Sequence, residues 1–223
     1  MKKIGHRGAA GHAPENTLAA FRKGLELGVD LLECDLRLVQ GELVIFHDET
    51  LDRCTKVKGK VSETELSKLR SLDAGAGERI PILDELFELA AGKCGLVLEI
   101  KEVGLADSLY KKINTHTSGA WSWDDITVIS FFHSELVRIK QLKPDVRTGA
   151  LVVGLPINFP EYCKANGFDL CDMQYSYVSS EFVDKCHRLG LQAWVFTPND
   201  KADIAALRKM GIDGIASDYP DLL

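Results

Sequence analysis

Short β-rich runs alternate with amphipathic helical segments along almost the whole chain, and no other feature restricts its fold so tightly. Strands are predicted near residues 3–6, 30–38, 95–101, 126–131, 147–152, 169–174, 191–196 and 213–217. Helical periodicity follows most of them, near residues 18–27, 105–115, 134–140, 159–166, 180–189 and 201–210. In the first helix Leu18, Phe21 and Leu25 share a face, Asn16 or Thr17 caps it, and Gly28 closes it. Eight strands with intervening helices predict a (β/α)8 TIM barrel of class α/β, with a doubly wound open sheet as the alternative. One segment breaks the alternation. After the second strand, GELVIFHD reads as an antiparallel strand, and residues 49–94 as a small insertion in a single barrel domain spanning residues 1–223. What remains allots about 22 residues to each βα unit, enough for a short strand, a short helix and two tight loops.

Composition narrows the function classes. The 223 residues are 45% hydrophobic and 27% charged, with a net charge of −6 and acidic residues spread along the chain. That balance argues against nucleic-acid or anionic-membrane binding while leaving room for a local basic pocket. MKKIGHRGAAGH lacks the apolar core of a signal peptide, and no apolar run approaches the ~18 residues of a membrane span. The expectation is therefore a cytoplasmic protein without stable membrane insertion. Cys34, Cys54, Cys94, Cys163, Cys171 and Cys186 form no C-x-x-C pair and read as reduced, mostly buried thiols.

Residues 6–17, HRGAAGHAPENT, do not suit a strand or a helix, because Gly and Pro break both. The stretch reads as a loop at the end of a strand, where scaffolds carry chemistry. In LLECDLRL, Glu33 and Asp35 leave one face of an apolar strand. Two carboxylates on a buried face repel and lose hydration unless a cation compensates, whether arginine or metal. GLVLEIKE repeats the spacing with Glu99 and Lys101. Barrel strands point alternate residues inward and end at the active-site mouth, so Glu33, Asp35 and Glu99 can converge. Three hard oxygen donors suit magnesium, calcium or manganese rather than zinc. In VIFHDETLDR an apolar strand delivers His47 and Asp48 to its end. His6 and His47 each terminate a strand beside a charged neighbour; His12, His116, His133 and His187 read as structural.

Charge then points to a ligand. Three carboxylates and a divalent cation leave one negative charge, and Arg7 with Lys101 turn it into one positive, matched to a phosphodiester monoanion. Because the unperturbed pKa of imidazole lies near neutrality, two histidines can serve as general base and general acid. PENT is expected to open a helix whose N-terminal amides face the mouth as an anion site.

The blocks GHRGAAGHAPENTLAAF, GVDLLECDLRL, LVIFHDETLDRCT, LDAGAGERIPILDEL, LVLEIK and GIDGIASDYPDLL resemble, in order, the signature of the glycerophosphodiester phosphodiesterase family. The resemblance covers the chain from end to end. It implies a (β/α)8 barrel with an insertion after the second strand, one divalent ion (Mg2+ or Ca2+), and hydrolysis of a small-molecule glycerophosphodiester to sn-glycerol 3-phosphate and an alcohol. Carried over residue by residue, it makes His6 and His47 catalytic, with His6 as general base and His47 as general acid. Glu33, Asp35 and Glu99 become metal ligands, and Arg7 and Lys101 phosphate contacts. Cys54 stands where the family commonly has Thr. Phe131 and Trp194 are expected either to line the glycerol or head-group pocket or to fill the barrel core. A phosphodiesterase acting on choline phospholipids, similar to sphingomyelinase D, and a noncatalytic phosphate-ligand sensor are the competing readings.

Overall fold

The computed structural model describes residues 1–117 and 119–223. Its strands are β1 (Lys2–Gly5), β2 (Leu31–Val39), β3 (Glu42–Ile45), β4 (Gly95–Ile100), β5 (Ile126–Ser130), β6 (Arg147–Val152), β7 (Leu170–Gln174), β8 (Gln192–Phe196) and β9 (Gly214–Ser217). All but β3 pair in parallel, in the order β1-β9-β8-β7-β6-β5-β4-β2, and β1 pairs with β2 to close the barrel. The expected barrel is therefore the observed one, and the open sheet is excluded. β3 runs antiparallel to β2, with Leu36 opposite Ile45.

The helices are α1 (Leu18–Glu26), α2 (Leu66–Ser71), α3 (Leu83–Ala90), α4 (Ala106–His116), α5 (His133–Leu142), α6 (Phe159–Ala165), α7 (Ser180–Arg188) and α8 (Lys201–Lys209). Two apolar layers hold strands and helices together. Outward-facing Leu32, Cys34 and Leu36 of β2 join Phe21 of α1 and Phe87 of α3 in the core outside the sheet. Inside the barrel, Ile4, Leu31, Val97, Ile129, Leu151, Leu170, Trp194 and Ala216 form a second core. Burial on both faces explains why β2 reads as an apolar run interrupted only by Glu33, Asp35 and Arg37.

Trp194 settles into that inner core and not into a substrate pocket. It is 1% exposed, its ring lies over Gly214, where a Cβ would sit 2.9 Å from it, and its Nε1 donates to Gln192 Oε1 at 3.1 Å. Gln192 opens β8, at the end of the strand away from the mouth. At mid-strand the indole fills the barrel interior together with the inward-facing side chains of the other strands.

Residues 49–94 contain two kinds of structure. Leu83, Leu86, Phe87 and Ala90 of α3 are buried in the main outer core, so α3 packs in the barrel's helix ring. Before it, Leu51, Val61, Leu69 and Ile80 pack with Val39, Val44 and Phe46 into a separate small core beside β3. The same β3 carries His47 at its end. Among the described residues no helix is long and apolar enough to cross a membrane.

Candidate active site

The site is built where β1, β2, β3 and β4 end. His6 and Arg7 follow β1 directly, and the chain turns there through left-handed backbone: Arg7 has φ 49° and Gly8 φ 90°. A Cβ on Gly8 would lie 2.5 Å from the Ala20 carbonyl carbon, so the turn packs on the backbone of α1 and only glycine fits. The turn aims the Arg7 amide at Glu33, to whose Oε2 it donates at 2.7 Å. Asn16, also left-handed at φ 58°, donates from Nδ2 to Asp35 Oδ2 at 2.7 Å. Two non-glycine residues in sparsely populated backbone both face the carboxylates, where such strain tends to collect.

Asp35 and Glu99 are register partners across β2 and β4, and Glu33 sits two residues before Asp35 on the same face. All three are buried, and each offers an oxygen within 4.8 Å of the others. Lys101 Nζ lies 2.6 Å from Glu99 Oε1 and 3.4 Å from Asp35 Oδ1, and Arg7 Nε lies 3.4 Å from Asp35 Oδ2. Burial disfavours ionised Asp35, but Lys101, Arg7 and His47 overcome this and hold its carboxyl below the usual range. Glu33 and Glu99 go the other way: burial, then the charge of Asp35, pushes both carboxyls up, Glu99 to about 8. Arg7 is moreover shared with Glu15, at 2.7 Å, so the two cations do not balance the carboxylates. Glu33 Oε1 and Asp35 Oδ1 are buried without a hydrogen-bond partner. Carboxyls whose joint ionisation the two cations do not offset, buried oxygens without a hydrogen-bond partner and a hard donor set together fit a divalent cation at Glu33, Asp35 and Glu99.

Each candidate histidine is fixed through Nδ1 by a carboxylate. His6 Nδ1 lies 2.6 Å from Asp218 Oδ1, and His47 Nδ1 lies 2.5 Å from Asp48 Oδ1. An Nδ1–H donated to a carboxylate leaves Nε2 as the basic nitrogen of the neutral ring, the arrangement proton transfer requires. Asp218 is itself held by Asn199, whose Nδ2 donates to Oδ2 at 2.6 Å. The other four histidines find partners elsewhere: His12 with Asp221, His116 with Asp84, His133 with the Leu151 carbonyl and His187 with Asp213.

PENT does not work as an open helix terminus. Thr17 Oγ1 accepts from the Ala20 amide at 3.3 Å and Glu78 Oε2 accepts from the Ala19 amide at 3.1 Å, so those first-turn donors are spoken for. The motif contributes side chains instead: Glu15 to Arg7, Asn16 to Asp35 and Thr17 as the cap. Phe131, 43% exposed after β5, stands beside the cluster with its ring centroid 5.9 Å from Lys101 Nζ and edge-on to Phe196. Sequence reasoning gave no role to Asp218, Glu15, Asp48 or Arg53, and offered Asn16 only as a helix cap, a place Thr17 takes while Asn16 turns to Asp35. An acidic residue directly after His47 was the one local signal; Asp218 is 212 residues from His6 and meets it only because the barrel closes.

The chain matches the Glycerophosphoryl diester phosphodiesterase family over residues 6–222. It is 35% identical to a glycerophosphodiester phosphodiesterase of Caldanaerobacter subterraneus, covering 99% of this chain and 95% of that one. To the glycerophosphodiester phosphodiesterase of Bacillus altitudinis it is 30% identical, covering 99% and 96%. Among solved structures, a phosphodiesterase of Oleispira antarctica in complex with the product sn-glycerol-3-phosphate superposes with a TM-score of 0.91 at 31% identity, covering 99% of this chain and 94% of that one. A glycerophosphodiester phosphodiesterase of Agrobacterium tumefaciens superposes with a TM-score of 0.83 at 27% identity, covering 100% and 99%.

Proposed function

The chain belongs to the glycerophosphoryl diester phosphodiesterase family, and from that premise we propose that it hydrolyses glycerophosphodiesters to sn-glycerol 3-phosphate and an alcohol with a divalent cation, Mg2+ or Ca2+, and two histidines. The observation that carries this reading is the convergence at one barrel mouth of three buried carboxylates, two cations and two carboxylate-anchored imidazoles. A hydroxyl oxygen adds to phosphorus and loses its proton; the alcohol oxygen departs and gains one. His6 takes the first proton and His47 gives the second; if the hydroxyl is the glycerol 2-hydroxyl, the cyclic phosphate so formed is then opened by a water molecule to give sn-glycerol 3-phosphate. Arg7 and Lys101 offset the phosphoryl charge. The bound cation supplies further charge stabilisation on the phosphoryl oxygens. A cytoplasmic setting, consistent with six free cysteines, belongs to the same proposal. An enzyme-coupled assay for sn-glycerol 3-phosphate across choline, ethanolamine and glycerol diesters tests it; release of the phosphorylated alcohol with free glycerol would refute it.

The leaving alcohol is assigned to a cavity of about 470 Å3 beside Lys101, whose lining includes Glu49, Val61, Ser62, Val103 and Phe132. Residues 49–94 thus help select the head group. Ser62→Trp should fill this space and lower kcat/KM for bulky alcohols about 10-fold or more relative to small ones, with metal affinity unchanged. Equal relative rates across the substrate panel would remove the assignment.

The raised carboxyls also fix a pH dependence. Glu33 and Glu99 bind protons more tightly in the folded protein, so the chelated protein should lose stability as pH rises from the ordinary carboxylate range toward about 8. A cation that binds their ionised forms reverses this. Melting curves at pH 5.5 and 8 should therefore show the larger Mg2+- or Ca2+-induced stabilisation at the higher pH. An equal gain at both would contradict the cluster's role as the cation site.

A further inference from the structure

We infer that Arg53 is a positioning residue that locks Arg7 and His47 into one geometry, an inference that rests on the roles proposed above for those two side chains. Arg53 lies in the segment after β3, and its guanidinium is forked onto two carboxylates. Nη1 and Nη2 donate to Glu15 Oε2 and Oε1 at 2.6 and 2.7 Å; Nε and Nη2 donate to Asp48 Oδ2 and Oδ1 at 2.6 and 2.9 Å. The same two carboxylates hold the groups that meet the substrate. Glu15 Oε1 accepts from Arg7 Nη1 at 2.7 Å, and Asp48 Oδ1 lies 2.5 Å from His47 Nδ1. A continuous chain of short contacts, Arg7–Glu15–Arg53–Asp48–His47, therefore joins the loop after β1 to the loop after β3.

The chemistry of the link suits positioning better than stability. The Arg53 side chain is about half exposed, at 48%, and exposed ion pairs add little to folding. Its planar fork, however, orients both carboxylates at once, which a lysine ammonium does not do. Without Arg53, Glu15 keeps Arg7 and Asp48 keeps His47, but the two halves lose their fixed relation. Phosphate contact and proton donor must act on one phosphodiester group in the same step, the first on a phosphoryl oxygen and the second on the leaving oxygen. A small misplacement between them is costly in rate and cheap in stability.

The test uses the full-length, metal-loaded protein and two diesters: glycerophosphocholine, and a nitrophenyl diester whose leaving group needs no proton. Arg53→Ala is expected to lower kcat on glycerophosphocholine by up to about 100-fold, with KM and thermal midpoint little changed. The loss on the nitrophenyl diester should be several-fold smaller, because correct placement of His47 no longer matters there. Millimolar guanidinium chloride should restore part of the kcat of Arg53→Ala, and Arg53→Lys should stay impaired. Adding Asp48→Asn to Arg53→Ala should cost less than the two single losses combined. Unchanged kcat, or equal losses on both diesters with a lowered thermal midpoint, would overturn the inference while an active wild type leaves the proposed function standing. A wild type inactive on both diesters would overturn that function and this inference with it.

Discussion

Alanine at His6 is expected to slow hydrolysis of a natural glycerophosphodiester by about 10²–10⁴-fold, and alanine at His47 by a similar factor, with the fold intact. Neither imidazole is buried in the apolar core; each is held at the rim by one carboxylate, so its removal leaves a polar gap open to solvent. The two losses should be far from additive, because one proton leaves and one arrives in the same displacement. Leaving-group chemistry separates the roles. A nitrophenyl diester should rescue His47→Ala and not His6→Ala. Rescue of the opposite variant would exchange acid and base, and full activity of either on the natural diester would remove that residue from the mechanism.

Removal of divalent cations is expected to abolish turnover, and Mg2+ or Ca2+ to restore it. The reason lies in the charge balance: Glu33, Asp35 and Glu99 are buried together, Lys101 and Arg7 converge on Asp35, and Glu15 competes for Arg7. Asp35→Asn should be among the most damaging changes, on the order of 10²–10³-fold or more. It removes a ligand oxygen and leaves Lys101 and Arg7 less compensated, and Asn16 already donates to that carboxylate. Glu99→Gln should act in the same direction and weaken cation binding measured by calorimetry. Full activity in chelator-treated protein would refute the assignment outright.

Much of this site was legible in the sequence because its elements are local. The i, i+2 spacing of Glu33 with Asp35 and of Glu99 with Lys101 marks an inward strand face, and the strand–helix alternation says where that face points. His6 and His47 stand out because each ends a strand. What holds these groups was not legible. Asp218 reaches His6 only through closure of β1 on β9, and Arg53 reaches Glu15 only because the segment after β3 folds back over the first loop. Glu78 likewise reaches the start of α1 from far along the chain and takes an amide that periodicity alone left open to an anion. Trp194 shows the opposite limit: at mid-strand an aromatic reads equally as pocket or core, and the choice depends on its small neighbour Gly214.

In the proposed mechanism, glycerophosphodiester cleavage at this mouth depends on its histidines and its carboxylate-bound cation. The most direct test of that mechanism is the initial rate of sn-glycerol 3-phosphate release from glycerophosphocholine or glycerophosphoethanolamine, measured in parallel for Mg2+- or Ca2+-loaded wild type, chelated wild type and loaded His6→Ala. Rapid release is expected in the first and near-background rates in the other two. No release above background by the loaded wild type from either diester, or equal rates in all three, would rule out this mechanism.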